Sequence, residues 1–187
     1  MTMRGPAAFL DRDGVINIDH GYVHSWEDFA FVPGVVDSMR RLQAAGYALV
    51  VVTNQSGIAR GYYDEPALQR LHETLRENLA EQGVTLAAIE YCPHLPDAPV
   101  ARYAIDCDCR KPAPGMILRA AQTLELDLSR SLMFGDKPSD IEAGARAGVG
   151  RCVLLARNGE PSAATVDHVN LSQALDALGI AAAPHTA

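Results

Sequence analysis

The chain has no long hydrophobic run. Its longest apolar stretch, Tyr47 to Val52, is far shorter than the roughly 20 residues that a helix needs to cross a bilayer. The amino-terminal residues also lack a charged segment followed by a long apolar stretch, which is the pattern of a secretory signal. The first absence excludes a membrane-spanning helix, and together they lead us to expect a soluble, cytoplasmic protein.

Positive charge is scarce as well, with a formal net charge of -7. This balance argues against a broad nucleic-acid or anionic-membrane surface, so we expect neither partner. Only two of the sixteen basic residues are lysines, Lys111 and Lys137. A lysine ammonium suits a point-charge contact with phosphate. Two retained lysines are also compatible with chance, unless both lie beside other catalytic candidates.

The sequence lacks linkers, internal repeats and low-complexity segments. Its 187 residues are most simply one domain, 1–187, which is large enough to bury a core without disulfides. We expect a monomer that acts on a small molecule.

Apolar runs alternate with stretches of helical periodicity. Strands are predicted at five places: Ala7 to Leu10, Ala48 to Val52, Ala87 to Tyr91, Ser131 to Phe134 and Arg151 to Leu155. Helices are predicted between them and at the end: from near Val35 to before Gly46, Asp64 to Glu81, Gly115 to Leu124, Ser139 to Ala147 and Leu171 to Leu178. This alternation predicts an α/β fold, a three-layer doubly wound parallel sheet of Rossmann-like type. The Ala-rich carboxyl terminus is expected to fray.

The first predicted strand ends in Asp11-Arg12-Asp13-Gly14. Ligands of open α/β sheets bind beyond the carboxyl ends of the strands, which makes these carboxylates active-site candidates. Asp and Gly are also ordinary turn residues, so the segment alone is equally compatible with a turn.

Polar clusters follow two further predicted strands. Thr53-Asn54 comes after the second strand, and Gly135-Asp136-Lys137, with Asp140 close behind, comes after the fourth. Several carboxylates at one sheet edge repel each other unless a hard cation lies among them, and Mg²⁺ prefers carboxylate oxygens, water and phosphate. Thr53, Lys111 and Lys137 would then contact a phosphoryl group.

A second constellation lies in the proline-rich segment 92–109. Cys92, His94, Cys107 and Cys109 supply four ligands, enough for a closed, structural tetrahedral Zn²⁺ site. The alternative is a loop with reduced cysteines, but the segment has few apolar residues with which to order itself.

The strand-end motifs resemble those of the haloacid dehalogenase superfamily, which has Asp-x-Asp-Gly-x after the first strand, then a Ser or Thr, a Lys and a late acidic pair. Here they are Asp11 to Val15, Thr53, Lys111 and the 135–140 segment, and the resemblance covers roughly residues 7 to 155. It implies a nucleophilic Asp11 and an acid/base Asp13. It further implies a Mg²⁺ ion held by the Asp11 carboxylate, the Asp13 carbonyl and Asp136.

The resemblance also implies that Thr53 and Lys111 stabilise the transferring oxygens, whereas Asp140 orients Lys137 or metal-bound water. The zinc loop runs directly into Arg110-Lys111-Pro112. This junction is similar to that of the branch that contains histidinol phosphate and heptose bisphosphate phosphatases. We therefore expect zinc to position Arg110 and Lys111 rather than to take part in bond cleavage.

The intervals between the motifs leave no room for the cap domain of many superfamily members, so the predicted domain is capless. Specificity must then come from loops. The residues predicted to bind substrate are Asp19, His20, Gly21, Tyr22, Thr53, Asn54, Gln55, Ser56, Arg110, Lys111 and Lys137.

The run from Thr53 to Gly61 resembles the heptose bisphosphate branch more than the histidinol phosphate branch. This implies a phosphatase acting at position 7 of a heptose 1,7-bisphosphate in lipopolysaccharide precursor synthesis, with Arg110 at the uncleaved end. Histidinol phosphate hydrolysis is the first alternative. A phosphoacceptor signalling domain is less favoured, because it needs neither Asp13 nor a zinc loop, and a binding module without chemistry would leave the ordered motifs unexplained.

Overall fold

The computed structural model describes residues 5–160 and 166–181, so the predicted frayed tail lies largely outside the described residues. Its centre is a five-stranded sheet in which all neighbouring strands are parallel, in the order β3-β2-β1-β4-β5. The strands are β1 (Ala7–Leu10), β2 (Ala48–Asn54), β3 (Leu86–Cys92), β4 (Leu132–Gly135) and β5 (Arg151–Leu154). The predicted parallel α/β sheet is therefore confirmed.

One predicted strand end is wrong in a way that affects the site. Thr53 and Asn54 lie within β2 rather than after it, because β3 continues alongside and pairs Asn54 with Cys92. Cys92 is correspondingly the last residue of β3 instead of the first residue of an irregular loop. The first zinc-ligand candidate is thus held by the sheet.

Among the described residues, five α-helices cover the two faces of the sheet. They are α1 (Val35–Ala44), α2 (Glu65–Glu81), α3 (Gly115–Thr123), α4 (Pro138–Ala147) and α5 (Leu171–Ala177). β1 alternates between the two cores: Ala8 and Leu10 pack with α1, α2 and α5, whereas Phe9 packs with α3 and α4. This arrangement gives the predicted three layers, and it buries β1 on both faces.

The second helix, α2, begins where the sequence directs it to begin. The Asp64 side chain caps it by accepting from the Ala67 N–H, and a proline occupies its first turn. Leu68, Leu75 and Leu79 face inward and are buried. His72 shares this buried face, although its ring is polar.

The strand order determines which loops meet. β1 lies between β2 and β4, so the residues that follow these three strands share one edge of the sheet. The Asp11 N–H donates to the Phe134 carbonyl at 3.0 Å, which continues the pairing of β1 with β4 into the first motif. Within the described part of the chain, no helix has the length and apolar character needed to span a membrane.

Candidate active site

A buried lysine links two of the carboxylates. Lys111 Nζ lies 2.9 Å from Asp11 Oδ1 and 2.7 Å from Asp140 Oδ1, and it donates to the Val52 carbonyl at 2.7 Å. These three acceptors match the three protons of an ammonium group. Its side chain is 1% exposed. Lys111 is therefore held rigidly between the two acids.

Asp140 contacts Lys137, as predicted, and also makes a contact that the sequence did not predict. Its Oδ1 is paired with Lys111, and its Oδ2 accepts from the backbone N–H of Lys137 at 3.0 Å at the start of α4. Asp140 thus orients the Lys111 side chain, whereas its contact with Lys137 is to the backbone. Gly135 permits this position, because a Cβ there would lie 2.2 Å from the Cβ of Asp140.

Three acids, Asp11, Asp136 and Asp140, form what we call the carboxylate cluster, with one oxygen of each within 4.8 Å of the others. Both side-chain oxygens of Asp136 are buried and have no hydrogen-bond partner among the described residues. Lys137 and Arg157 approach Asp136 only to 3.9 and 3.8 Å. Buried carboxylate oxygens without partners are costly unless a cation satisfies them. The cluster therefore fits a hard divalent cation such as Mg²⁺.

Burial affects the protonation of two acids in this cluster. Burial raises the pKa of Asp11 to about 7, although the Lys111 ammonium opposes this rise. Burial also raises the pKa of Asp136. Because both oxygens of Asp140 are already engaged by Lys111 and Lys137, Asp11 and Asp136 are the side chains available to a metal ion.

Gly14 joins the first motif to this cluster. Its φ is +90°, and a Cβ at this position would lie only 2.3 Å from Asp136 Oδ2. No L-residue with a side chain fits both conditions without strain. The glycine after Asp13 is therefore required by the position of Asp136, although β2, β3 and β4 lie between the two residues in the sequence.

Asp13 is not part of the carboxylate cluster and receives donors from three side chains. Its Oδ1 accepts from Arg12 Nη2 at 2.9 Å and Asn17 Nδ2 at 3.0 Å, and its Oδ2 accepts from Gln55 Nε2 at 2.9 Å. Burial would raise the pKa of Asp13, but the Arg12 charge and these hydrogen bonds hold it below its ordinary value. Asp13 is thus an ordered, ionised acceptor in this state.

A cavity of about 280 Å³ opens beside Asp13. It brings together many of the predicted substrate-binding residues: Asp19, Gly21, Tyr22, Asn54, Gln55, Ser56 and Lys137. A larger cavity of about 400 Å³ lies between His24–Glu27 and α2. Because neither Asp13 nor any predicted substrate-binding residue lines this larger cavity, size does not identify the active site.

The sequence reasoning missed two residues that line the smaller cavity, Tyr63 and Arg157. Arg157 pairs with Asp19 and faces Asp136. It follows β5 at the same sheet edge as the other motifs, so its position after a predicted strand could have identified it from the sequence. Tyr63 donates to Gln55 Oε1 at 2.6 Å, and Gln55 in turn donates to Thr53 Oγ1 at 2.8 Å. No sequence pattern marks Tyr63.

Four predicted substrate-binding residues do not line this cavity. Lys111 lies buried between Asp11 and Asp140, and the other three take other places. His20 is exposed and is not among the residues that line this cavity. Arg110 lines a separate depression of about 170 Å³ beside Cys107, and its Nη1 donates to the His94 carbonyl at 3.3 Å. Thr53 is fully buried and contacts the cavity residues through Gln55. The substrate contacts of all the predicted residues remain predictions, and the positions of His20 and Arg110 do not support theirs.

The four zinc-ligand candidates converge as a compact cluster. Cys109 Sγ lies 2.9 Å from Cys92 Sγ and 3.4 Å from Cys107 Sγ, and His94 Nδ1 lies 3.3 Å from Cys109 Sγ. All the cysteines are free thiols. Hydrogen bonds from Cys92, Cys107 and His94 lower the pKa of the Cys109 thiol, which favours the thiolate that binds metal. Three thiols and an imidazole in this arrangement suit tetrahedral zinc.

Comparison with known proteins agrees with this site. The HAD-hydrolase-like family model matches residues 108–178. The D-glycero-β-D-manno-heptose-1,7-bisphosphate 7-phosphatase of Photorhabdus laumondii is 53% identical over 86% of this chain and 85% of its own length. The enzyme of the same name from Escherichia coli K12 is 52% identical over 86% of this chain and 84% of its own length.

Solved structures give the same result. A HAD-like phosphatase from Mesorhizobium loti superimposes with a TM-score of 0.82 at 37% identity, over 94% of this chain and 84% of its own. The D,D-heptose 1,7-bisphosphate phosphatase of B. bronchiseptica, complexed with magnesium and phosphate, has a TM-score of 0.72 at 33% identity, over 92% of this chain and 99% of its own. The chain therefore belongs to the haloacid dehalogenase-like phosphatases, which are phosphoric monoester hydrolases, and within them to the heptose bisphosphate phosphatase family.

Proposed function

We propose that this protein removes the 7-phosphate of D-glycero-β-D-manno-heptose 1,7-bisphosphate. The family supports the substrate, since relatives at 50% identity and above carry this activity in their names. One observation carries the chemistry: Lys111 bridges Asp11 and Asp140, while the unpartnered oxygens of Asp136 lie beside them. This is a site for an anionic phosphoryl group, a cation and a carboxylate nucleophile.

Asp11 is the proposed nucleophile. Both of its hydrogen-bonded contacts, from the Arg12 N–H at 2.8 Å and from Lys111 Nζ at 2.9 Å, are to Oδ1. These contacts set the plane of the carboxylate and direct Oδ2 to the phosphorus. The Asp11 oxygen forms a bond to phosphorus as the bond to the sugar oxygen breaks. Asp13, which is ionised in the free protein, takes up one proton when the anionic phosphate binds beside it and gives that proton to the leaving oxygen. The products are an aspartyl phosphate on Asp11 and a free sugar hydroxyl.

The second step returns the enzyme to its starting state. Asp13, now a carboxylate, takes a proton from a water molecule as the water oxygen attacks the phosphorus. The bond between phosphorus and Asp11 breaks, and inorganic phosphate leaves. Lys111 remains beside Asp11 throughout and balances the charge of the transferring oxygens.

Asp11 and Asp136, together with the Asp13 carbonyl, would hold the Mg²⁺ ion. When bound, this ion neutralises the charge of the phosphate and allows an anionic nucleophile to approach it. We assign zinc to Cys92, His94, Cys107 and Cys109 as a structural ion, because the four ligands leave no open position.

Specificity is assigned to the loops around the 280 Å³ cavity of a single, capless domain that acts as a monomer. Tyr22 and Tyr62 contact each other edge to face at 4.8 Å at its rim. Arg157 and Lys137 are the cationic side chains that line it, which suits the phosphate at the uncleaved end of a bisphosphate.

The test is phosphate release measured side by side on the β- and α-anomers of the 1,7-bisphosphate and on histidinol phosphate. We expect the β-anomer to have the highest kcat/KM, with ³¹P NMR showing loss of the phosphate at position 7. Asp11→Asn should abolish turnover, whereas Asp176→Asn, an exposed acid paired with Arg41, should not. Equal efficiency on all three substrates would refute the assignment, and a persistent phosphoprotein without turnover would indicate a signalling domain.

A further inference from the structure

The guanidinium of Arg12 is buried at the junction of three parts of the fold. Arg12 lies between the two catalytic candidates Asp11 and Asp13 and is 0% exposed, which is unusual for a charged side chain. Its Nη2 donates to the Val23 carbonyl at 2.6 Å, in the loop that follows the first motif, and its Nη1 lies 3.1 Å from His72 Nε2, on α2. A buried charge of this kind needs every partner that it has.

Two donor atoms of Arg12, Nη2 and Nε, also contact Asp13. Nη2 lies 2.9 Å from Asp13 Oδ1 and 3.1 Å from Oδ2, and Nε lies 3.3 Å from Oδ1. A planar guanidinium that contacts both oxygens determines the orientation of a carboxylate as well as its position. The orientation of Asp13 therefore depends on where the Arg12 side chain is held.

His72 holds the opposite edge of that guanidinium. Arginine has no acceptor, so Nε2 of His72 must accept the Nη1 hydrogen bond with its lone pair, and the ring is neutral with its proton on Nδ1. His72 is 7% exposed. Burial and the nearby Arg12 charge keep it neutral, since both lower the pKa of His72, to about 3.

We propose that His72 is a positioning residue for catalysis, which orients Asp13 through Arg12. The proposal rests on the proposed acid/base function of Asp13. Neither His72 nor Arg12 lines the cavity beside Asp13. Asp13 is thus connected through Arg12 to the buried face of α2. Arg12 and His72 are 60 residues apart in the sequence.

Loss of the His72 acceptor would leave one Arg12 donor buried without a partner. The guanidinium would shift to find one, and Asp13 would shift with it. Asn17 and Gln55 still contact Asp13 from other sides, so the carboxylate would be displaced rather than released. A small displacement is enough to slow proton transfer, because a general acid acts only within hydrogen-bond reach of the leaving oxygen.

Leaving-group dependence distinguishes this function from a structural one. A sugar alkoxide needs a proton as it leaves, whereas 4-nitrophenolate leaves without one. We therefore compare kcat/KM, which reports the first phosphoryl transfer, on the heptose bisphosphate and on 4-nitrophenyl phosphate. In His72→Leu, kcat/KM should fall by about tenfold or more on the bisphosphate, which is part of the rate that a general acid contributes. On the aryl ester, kcat/KM should fall by less than about threefold.

Three variants complete the design. His72→Gln keeps an acceptor near the position of Nε2 and should restore most of the rate on the bisphosphate. Leu79→Val is the control for a loss of stability, because Leu79 lies two turns further along the same buried face of α2. Any change in kcat/KM in this variant should be equal on the two substrates. Arg12→Lys removes the planar fork, and should show the leaving-group pattern even if His72→Leu does not fold.

Asp13→Asn separates the two proposals. Suppose that Asp13→Asn lowers kcat/KM on the bisphosphate selectively, but that His72→Leu and Arg12→Lys lower kcat/KM equally on both substrates or on neither. The positioning function is then wrong and the acid function stands. If Asp13→Asn itself shows no leaving-group dependence, the acid function fails, and the positioning proposal fails with it.

Discussion

Replacing Lys111 by methionine should destabilise the protein as well as inactivate it. Methionine has a similar length and packs well in a core, but it carries no charge. Asp11 would keep its bond from the Arg12 N–H, and Asp140 would keep its bond from the Lys137 N–H. Each acid would lose its contact with the ammonium, at 2.9 and 2.7 Å respectively.

The size of this loss follows from burial. The side chains of Asp11 and Asp140 are 4% and 2% exposed, so water cannot replace the ammonium. Removing one partner of a buried ion pair costs about 3–5 kcal/mol. For a chain of this length that corresponds to a fall in Tm of roughly 6–20 °C. The loss should be smaller at about pH 5.5 than at about pH 8, because Asp11, with its pKa raised to about 7, is already protonated in the acidic wild type.

The assay is thermal and urea-induced unfolding in the absence of Mg²⁺, beside phosphate release in its presence. Lys137→Met is the matched control, because Lys137 is 48% exposed and its removal should change stability by less than about 0.5 kcal/mol. The double variant Lys111→Met, Asp140→Asn should recover part of the stability and none of the activity. A Lys111→Met protein that unfolds at the wild-type Tm would show that Lys111 is not the counterion of these two acids.

Three other predictions follow from single contacts. Gly14→Ala should raise the Mg²⁺ concentration needed for half-maximal activity by about tenfold or more, because its Cβ would collide with Asp136; an unchanged requirement would contradict the metal assignment. Arg157→Gln should raise KM for the bisphosphate by about tenfold with little change in kcat, and an equal effect on a simple phosphate ester would exclude a contact with the uncleaved phosphate. Cys109→Ser should lower both the zinc content measured by atomic absorption and the Tm, and retention of both would disprove the structural site.

Sequence reasoning predicted the sheet because its strands are short apolar runs that are separated by strong helical periodicity. β1, with all four of its residues buried, is the clearest example. The same reasoning placed the end of β2 too early, since Thr53 and Asn54 are polar and belong to the strand only through their pairing with β3. A partner strand distant in sequence cannot be recognised from local pattern.

The sequence by itself determined which residue types gather at the active edge, because in a parallel sheet the residues that follow β1, β2 and β4 must meet there. It also predicted the cluster of Cys92, His94, Cys107 and Cys109, because these residues lie close together in the sequence. Only the tertiary structure decided that Asp140 holds Lys111, that Arg157 enters the cavity and that Arg110 lies outside it. The physical reason is that a long charged side chain can turn inward or outward from the same backbone position, and packing and burial, which no local pattern encodes, decide its direction.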